Sequence, residues 1–360
     1  MESYNHIWIR YKNKEEMMSQ QSIPPKVLIV EPHPYHQEIL PGFVKYFNEL
    51  GYDVYCYIRQ ECRNSNVFCK MPIKPNITYY DYTKLADLLT DCSQYDYVFF
   101  SSLEFMSKDF QGKITDFLGY IPNAKYGIMG CHHTLTNIKD YDSVDLLNQN
   151  RVFSCSGFEY NRRVVPMLAP IYYGDFKPSK LHKKKQFVVV GAITSYSKNH
   201  NLLFTTVEKL KNDGLKNFKI TVIGKGRLKV PFRLRRYIKF KGSVPFNKMF
   251  KYVNNADFYL PLLDLQLENH LRYLTNCCTG SRNLILGFKK PCLINDVFAS
   301  VYKFDKNNAI LYHDNDLYAA MKNALTVTKD EYHNLQTNLE SLGLKIYTES
   351  LNNLKKAVGK

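Results

Sequence analysis

The 360-residue sequence has no apolar run of the roughly 20 residues that a membrane-crossing helix needs. Its first 22 residues include Lys12, Lys14, Glu15 and Glu16, so this stretch is too polar for a signal peptide. We therefore expect a cytoplasmic protein whose contact with a membrane, if it has one, is peripheral.

Paired cysteine motifs are missing as well. The nine cysteines are an odd number, none belongs to a Cys-x-x-Cys motif, and Cys277 and Cys278 are adjacent. Reduced thiols suit this pattern better than a disulfide framework. Because the cysteines and histidines also lack the two-by-two spacing of zinc ligands, we expect no structural zinc site.

Acidic residues are scarce relative to basic ones, with 33 Asp and Glu against 49 Lys and Arg and a net charge of +16. The densest basic stretch is 225–241, which carries eight basic residues and no acidic one. Such a stretch suits nucleic acid, an anionic membrane, an anionic acceptor or a solvated surface. Nucleic acid is the less favoured partner, because no helix-turn-helix, zinc-finger or RNP-like motif accompanies the stretch.

Short apolar runs alternate with helical patterns along most of the chain. In the first half they predict strands at 26–30, 53–58, 95–100, 125–131 and 151–155, and helices near 39–50 and 108–118. A stretch punctuated by Pro and Gly follows at 166–185. A strand ending in glycine at 187–191 then restarts the pattern. Repeated strand–helix–strand units imply parallel sheets, so we predict an α/β protein with two Rossmann-like, doubly wound domains.

The predicted boundaries place a flexible tail at 1–24, an N-terminal domain at 25–178 and a C-terminal domain at 179–330. The final helix, at 331–360, is expected to pack back toward the N-terminal domain. Further elements of the second half are strands at 218–223, 237–240, 258–260 and 291–294, and helices at 201–213, 246–255 and 284–287.

Four segments of the second half occur in an order typical of one enzyme family. They are the strand and glycine at 187–191, Lys-Asn-His-Asn at 198–201, a strand with Gly-Lys-Gly at 220–226, and Phe-Lys-Gly-Ser-Val at 240–244. The sequence therefore resembles the GT-B glycosyltransferases, in particular the group-1 or family-4-like enzymes that use nucleotide sugars. The resemblance implies two domains facing each other across a cleft. It also implies a UDP- or GDP-sugar donor on the C-terminal domain and a hydroxyl acceptor, on a glycan, lipid or other molecule, on the N-terminal domain. It implies neither a tightly bound cofactor nor a catalytic metal.

The sequence departs from that family at its paired glutamates. No acidic residue stands at Arg282 or Leu284, ahead of the Gly-x-x-x-Pro segment at 287–291, and the arginine that often precedes the donor lysine is absent after Gly191. Retention and inversion therefore both stay open. The alternatives are an inactive sugar-nucleotide or glycan-binding protein, a nucleic-acid-binding or DNA-modifying glycosyltransferase, and a sugar-nucleotide epimerase.

Donor-binding residues are predicted at three places in the second half of the chain. In the first half the candidate is Gly42, which opens a helix just past the first strand. The amino end of a helix near 282–286 offers free N–H groups to a diphosphate, although a simple N-cap is the competing interpretation. Lys198 would offset the diphosphate charge, unless it is a solvated lysine. The turn at 243–245 would contact the nucleotide base, unless it is an ordinary turn. The donor-binding candidates are Gly42, Lys198, Ser243, Val244, Pro245, Thr279, Gly280, Ser281, Arg282 and Asn283.

Three residues are candidates for catalysis. His132 and His133 end a strand, and because adjacent strand residues point to opposite sides, at most one of them can face the cleft; we favour His133. It could hydrogen-bond the transferred sugar, orient the acceptor hydroxyl or act as a base in an inverting reaction, unless it is a structural histidine. Glu268 falls in a stretch predicted as an irregular loop, 262–276, and could bind ribose or sugar hydroxyls, although a solvated surface carboxylate is the favoured interpretation for a single acidic loop residue. His33, His36 and Glu38 lie within six residues of one another, but no fourth ligand is apparent, so we predict no metal site there.

Overall fold

A computed structural model describes residues 23–102, 124–132, 134, 145–194, 197–275 and 277–360. The first half forms a six-stranded sheet in the order β3-β2-β1-β4-β5-β6, with all five neighbouring pairs parallel. Its strands are β1 (Lys26–Glu31), β2 (Asp53–Arg59), β3 (Asn76–Tyr80), β4 (Tyr97–Phe100), β5 (Ile128–His132) and β6 (Val152–Ser154). Among the described residues of this half, the α-helices are α1 (Leu40–Glu49) and α2 (Leu85–Leu89).

The central strands are apolar because helices and loops cover both faces of the sheet. All residues of β1 after Lys26 are buried, as expected of a strand inside a parallel sheet. The five strands predicted here are confirmed. Strand β3 was missed because it lies at the sheet edge, where its side chains are mostly exposed or half-buried. The helix predicted at 108–118 lies outside the described residues.

The second half forms a four-stranded parallel sheet in the order β11-β10-β9-β12. These strands are β9 (Lys185–Val190), β10 (Phe218–Ile223), β11 (Ile238–Phe240) and β12 (Phe258–Tyr259). Helix α3 (His200–Asn212) joins β9 to β10, and α4 (Phe246–Asn255) joins β11 to β12. The hairpin strands β7 (Glu159–Tyr160) and β8 (Arg163–Val164) precede this sheet.

The chain then adds mainly helices around a parallel strand pair, β13 (Leu293–Asn295) with β14 (Ile310–Tyr312). A bridge between Tyr259 and Cys292 connects this pair to β12. The helices are α5 (Glu268–Thr275), α6 (Gly280–Phe288), α7 (Asp296–Val301), α8 (Leu317–Thr326) and α9 (Lys329–Ala357).

The last helix, α9, contacts both halves of the chain. It begins with a capping box between Thr328 and Glu331, which satisfies backbone N–H groups at its first turn. Near this end the Tyr332 hydroxyl donates to the backbone oxygen of Asp257, at 2.8 Å. Near its other end Ser350 Oγ accepts from the N–H of Ala169, at 3.0 Å. The helix therefore joins elements of both halves, while the domain boundaries themselves stay a prediction.

Two further properties follow from the described residues. None of their helices is long and apolar enough to cross a membrane. All nine cysteines are described, and each is a free thiol.

Candidate active site

A cavity of about 940 Å³ lies between the carboxyl ends of the two sheets. In open parallel sheets this edge is where ligands bind, because strand ends and loops converge there. The wall from the first sheet follows β1 and β2 and includes Pro34, Tyr35, Gln37, Glu38, Glu61, Cys62 and Ser65. The wall from the second half includes Gly191, Lys198, Gly224, Lys225, Ser243, Val244, Pro245, Tyr259, Tyr273, Thr279, Gly280 and Ser281.

Lys198 is a buried lysine in the wall from the second half. Its Nζ donates to the backbone oxygen of Pro261 at 2.6 Å and to Ser281 Oγ at 3.0 Å. The next residue, Asn199, caps α3 by accepting from the N–H of Leu202, which fixes the chain where the lysine leaves it. Burial lowers the pKa of Lys198 to about 7. An anion in the cavity would restore the charged form.

The amino end of α6 faces the same space. Thr279 is the N-cap, and its side chain accepts from the N–H of Ser281 at 3.3 Å. Gly280 lines the cavity, and a Cβ built on it would meet no atom within 4 Å. The N-cap interpretation therefore holds, and the capped helix end also borders open space where a diphosphate could bind. A helix amino end beside a buried lysine is well suited to a diphosphate.

Two glycines let the ends of β9 and β10 approach each other at the cavity floor. Gly191 has φ of +144°, and a Cβ on Gly224 would lie 1.7 Å from the Gly191 carbonyl oxygen. Any side chain at Gly224 would force these strand ends apart. The strand–glycine motifs thus have a packing reason as well as a place at the site.

Arg282 and Asn283 are buried in α6 but do not line the cavity. Arg282 Nη1 donates instead to the backbone oxygen of Cys155, at 3.2 Å. Gly42 is the third residue of α1, and a Cβ there would lie 2.6 Å from Pro170 Cα, so close backbone packing explains this glycine. The structure therefore does not bring these three predicted donor residues to the cavity.

The turn at 243–245 lines the cavity beside a direct link between the two walls. The N–H of Phe246 donates to the backbone oxygen of Ser65 at 3.0 Å. Nearby, the Lys225 ammonium lies 4.9 Å from the centre of the Tyr35 ring, a cation–π contact between the walls. The two walls are thus connected at more than one point around the cavity.

Sequence reasoning did not assign a role in catalysis or donor binding to the carboxylates that the structure brings to the cavity. Among the described lining residues these are Glu38 and Glu61. Glu61 is half-exposed and pairs with the guanidinium of Arg59, at 2.9 Å. Glu38 Oε2 is buried and has no hydrogen-bond partner in the described part of the chain, and burial raises the pKa of this carboxyl to about 7. Glu38 lies on the connection between β1 and α1, and local sequence does not show that this connection lines the cavity.

The predicted catalytic residues have different surroundings. His132 is buried, does not line the cavity, and accepts from the N–H of Thr134 at its Nδ1, at 2.9 Å. His133 lies outside the described residues. The irregular loop predicted around Glu268 was wrong, because Glu268 is the first residue of α5. It is exposed and does not line the cavity, whereas Tyr273 of the same helix does.

The basic stretch 225–241 leaves the cavity at Lys225 and returns to it just before Ser243. Between these points it passes Phe232, whose side chain is 85% exposed. Arg235 lies 5.6 Å from the Phe232 ring centre, and Arg233 pairs with Glu208 of α3 at 2.9 Å. An exposed aromatic ring among cations is typical of a surface that contacts an anionic partner.

No group of three or more His, Cys, Asp or Glu residues that could hold a metal ion occurs in the described ranges. His33 and His36 stand close, with ring centres 4.7 Å apart, without completing such a group.

The two parallel sheets facing each other across this cleft have the GT-B fold. An alpha-glucosyltransferase solved with UDP and a 13-mer DNA containing an HMU base aligns with a TM-score of 0.54 and 11% identity, over 92% of this chain and 95% of that one. AviGT4, a glycosyltransferase of avilamycin A biosynthesis, aligns with a TM-score of 0.51 and 11% identity, over 94% and 99%.

A mutant of TarM from S. aureus, solved with Fondaparinux, alpha-GlcNAc-glycerol and UDP, aligns with a TM-score of 0.52 and 14% identity over 78% of this chain. The chain spans 58% of the length of that TarM chain. Protein-family models and curated protein sequences give no match. At these identities the likeness establishes the fold alone.

Proposed function

We propose that the protein is a glycosyltransferase that moves a sugar from a UDP- or GDP-sugar to an acceptor hydroxyl. The observation that carries the proposal is the buried Lys198 beside the amino end of α6, on one wall of a cavity large enough for a nucleotide sugar. The three structural neighbours support it, since each is described as a glycosyltransferase or was solved with UDP.

The wall from the second half would hold the donor. Lys198 and the N–H groups at Gly280 and Ser281 would face the diphosphate, and the turn at 243–245 would contact the base. As the bond between sugar C1 and the phosphate oxygen breaks, negative charge grows on the leaving diphosphate. A fixed cation and a helix amino end stabilise that charge without reorganising, which is the usual source of rate in such a transfer. In this proposal the protein itself supplies the positive charge, with no resident cofactor or metal.

The wall from the first sheet would bind the acceptor. We further propose that the stretch 225–241 holds an anionic membrane surface next to the cavity, with the protein acting on its cytoplasmic side. Eight basic residues without an acidic one, and an exposed Phe232 between them, support a contact in which the ring enters the headgroup region. Duplex DNA is the rival ligand for the same cations.

A ligand screen tests the donor proposal. UDP, GDP, AMP and inorganic phosphate would each be added to the protein and its melting temperature measured. UDP or GDP should stabilise by about 2.7 kcal/mol at a hundred times its dissociation constant, while AMP and phosphate should give much less. Failure of both nucleoside diphosphates to stabilise would contradict the proposal. A protein that binds them but never releases a diphosphate from any nucleotide sugar would instead be a binding protein.

A further inference from the structure

The segment that follows β12 holds Lys198 at two points. Lys198 Nζ donates to the backbone oxygen of Pro261 at 2.6 Å, and the N–H of the next residue, Asn199, donates to the backbone oxygen of Leu262 at 3.2 Å. Both accepting residues are buried. The place of the lysine, from its neighbour in the chain to its ammonium group, therefore depends on where this segment lies.

The same segment has an unusual backbone conformation. Leu262 has φ of +53°, in the left-handed region that residues other than glycine rarely adopt, and the leucine is only 1% exposed. A conformation of this kind persists where the surrounding contacts impose it. The contacts that hold the turn at Leu262 therefore also determine the place of Lys198.

Asp264 makes three of these contacts. One oxygen of its carboxylate accepts from Asn199 Nδ2, and the other accepts from the N–H of Gln266 at 2.9 Å. The N–H of Asp264 donates to Nδ1 of His270, in α5, at 2.9 Å. Asp264 is 2% exposed and does not line the cavity. Its carboxylate is thus used within the protein, where it joins the turn to the residue after Lys198.

Asn199 uses both ends of its side-chain amide. Its oxygen accepts from the N–H of Leu202 at 2.8 Å and caps α3, while its Nδ2 donates to Asp264. One side chain therefore ties the start of α3 to the turn after β12. Lys198 lies at this junction, and its Nζ also donates to Ser281, at the amino end of α6.

We infer that Asp264 is a positioning residue for the proposed transfer, which acts through Asn199 and the turn at 261–264 to hold the Lys198 ammonium beside the amino end of α6. This inference rests on the proposed function. A cation stabilises a leaving diphosphate best when it is already in place, because no reorganisation is then needed as the charge grows. Without the Asp264 carboxylate, Lys198 would still be present but would be held less precisely.

The test measures the affinity of folded variants for UDP and GDP by calorimetry. Asp264→Asn should weaken binding by about three- to thirtyfold, which is the usual range for coupled neighbours. The new amide would present an N–H₂ group to Asn199 or to Gln266, where each of these residues needs an acceptor.

Asp257→Asn is the matched control. Asp257 is also a buried aspartate that accepts from backbone N–H groups, but it precedes β12, whereas Asp264 follows that strand. Asp257→Asn should lower the melting temperature and change the affinity for either nucleotide by less than about twofold.

Two further variants keep the inference testable if Asp264→Asn folds poorly. Asn199→Ser retains an oxygen that can cap α3 but removes the N–H₂ donor, so it should weaken nucleotide binding to a similar degree. The double variant Asn199→Asp with Asp264→Asn exchanges donor and acceptor, and so restores both the bond and the cap. Its affinity should return to within about threefold of wild type. A double variant that folds normally without this recovery would overturn the inference.

Coupling to Lys198 separates a positioning role from a purely structural one. In a Lys198→Ala background, Asp264→Asn should change the affinity by less than about twofold, because the group that it positions is gone. An effect of equal size with and without Lys198, or wild-type affinity in Asp264→Asn, would overturn the inference and leave the glycosyltransferase proposal standing. Failure of the wild-type protein to bind either nucleotide would instead count against the proposed function, and the inference would fall with it.

Discussion

The two walls of the cavity differ in how their polar groups are satisfied. In the wall from the second half, Lys198 donates to a backbone oxygen and to Ser281, which also accepts from the Tyr259 hydroxyl at 3.3 Å. In the wall from the first sheet, Glu38 presents a buried oxygen without such a partner in the described chain. The first arrangement is hydrogen-bonded within the protein before a ligand arrives. The second carries a group that burial makes unfavourable in its ionised form.

The largest effect should come from removing Lys198 from the wall of the second half. Lys198→Ala should lower diphosphate release by about 10²- to 10³-fold, since it removes a charge that faces the leaving group. Binding of UDP or GDP, measured by calorimetry, should weaken by about 10- to 100-fold. Lys290→Ala is the matched control. Lys290 is also buried, with a pKa lowered by burial to about 8, but it donates to Ser179 away from the cavity. Loss of nucleotide binding in both variants to the same degree would contradict a specific role for Lys198.

The second effect concerns the basic stretch beside that wall. Replacing Arg235 and Arg236 together by Ala should weaken sedimentation with vesicles of anionic lipid by about 2 kcal/mol, near 30-fold, because each cation near such a surface contributes about 1 kcal/mol. Nucleotide affinity should not change. Neutral phosphatidylcholine vesicles are the control lipid. Equal binding to both vesicle types, or tighter binding to duplex DNA than to anionic vesicles, would contradict the membrane proposal.

The third effect is a gain in folding stability when Glu38, in the wall from the first sheet, is replaced. The pKa of Glu38 is raised from its ordinary value of 4.5 to about 7, so its ionised form destabilises the folded protein. This loss of folding stability begins as the pH rises above 4.5 and is complete above about 7. The free energy of unfolding of Glu38→Gln, measured with urea, should therefore exceed that of the wild type by about 1–3 kcal/mol at pH 8. At pH 4.5 the two should be equal. A variant less stable than wild type at pH 8 would show that the carboxylate has a stabilising partner.

The smallest effect tests the open space in front of α6. Gly280→Ala should fold normally, because a Cβ there meets no protein atom within 4 Å. A methyl group at this point would crowd a bound phosphate and should weaken UDP or GDP binding by only about three- to tenfold. Unchanged affinity for the nucleotide would place the phosphates elsewhere.

Much of the wall from the second half could be predicted from sequence because its features are local. A strand ending in glycine, a lysine at the start of the next helix and a capped helix all leave short patterns. The wall from the first sheet could not be predicted in the same way. The surroundings of Glu38 include Cys155 and Tyr173, which stand far from it in the sequence, so no local spacing records its burial.

Two errors have equally physical reasons. Successive residues of a helix point about 100° apart, so Ser281 faces the cavity while Arg282 turns toward Cys155. The stretch 262–276 was taken as irregular although it contains no glycine or proline, because α5 is only eight residues long. Short helices stabilised by packing, as at the buried His270, leave little periodicity to detect.

A crystal structure with UDP or GDP bound tests the central claim most directly. The phosphate oxygens should lie about 3 Å from Lys198 Nζ and from the N–H groups at the amino end of α6. A nucleotide bound outside this cavity, or phosphates that face Glu38 instead of Lys198, would contradict the account.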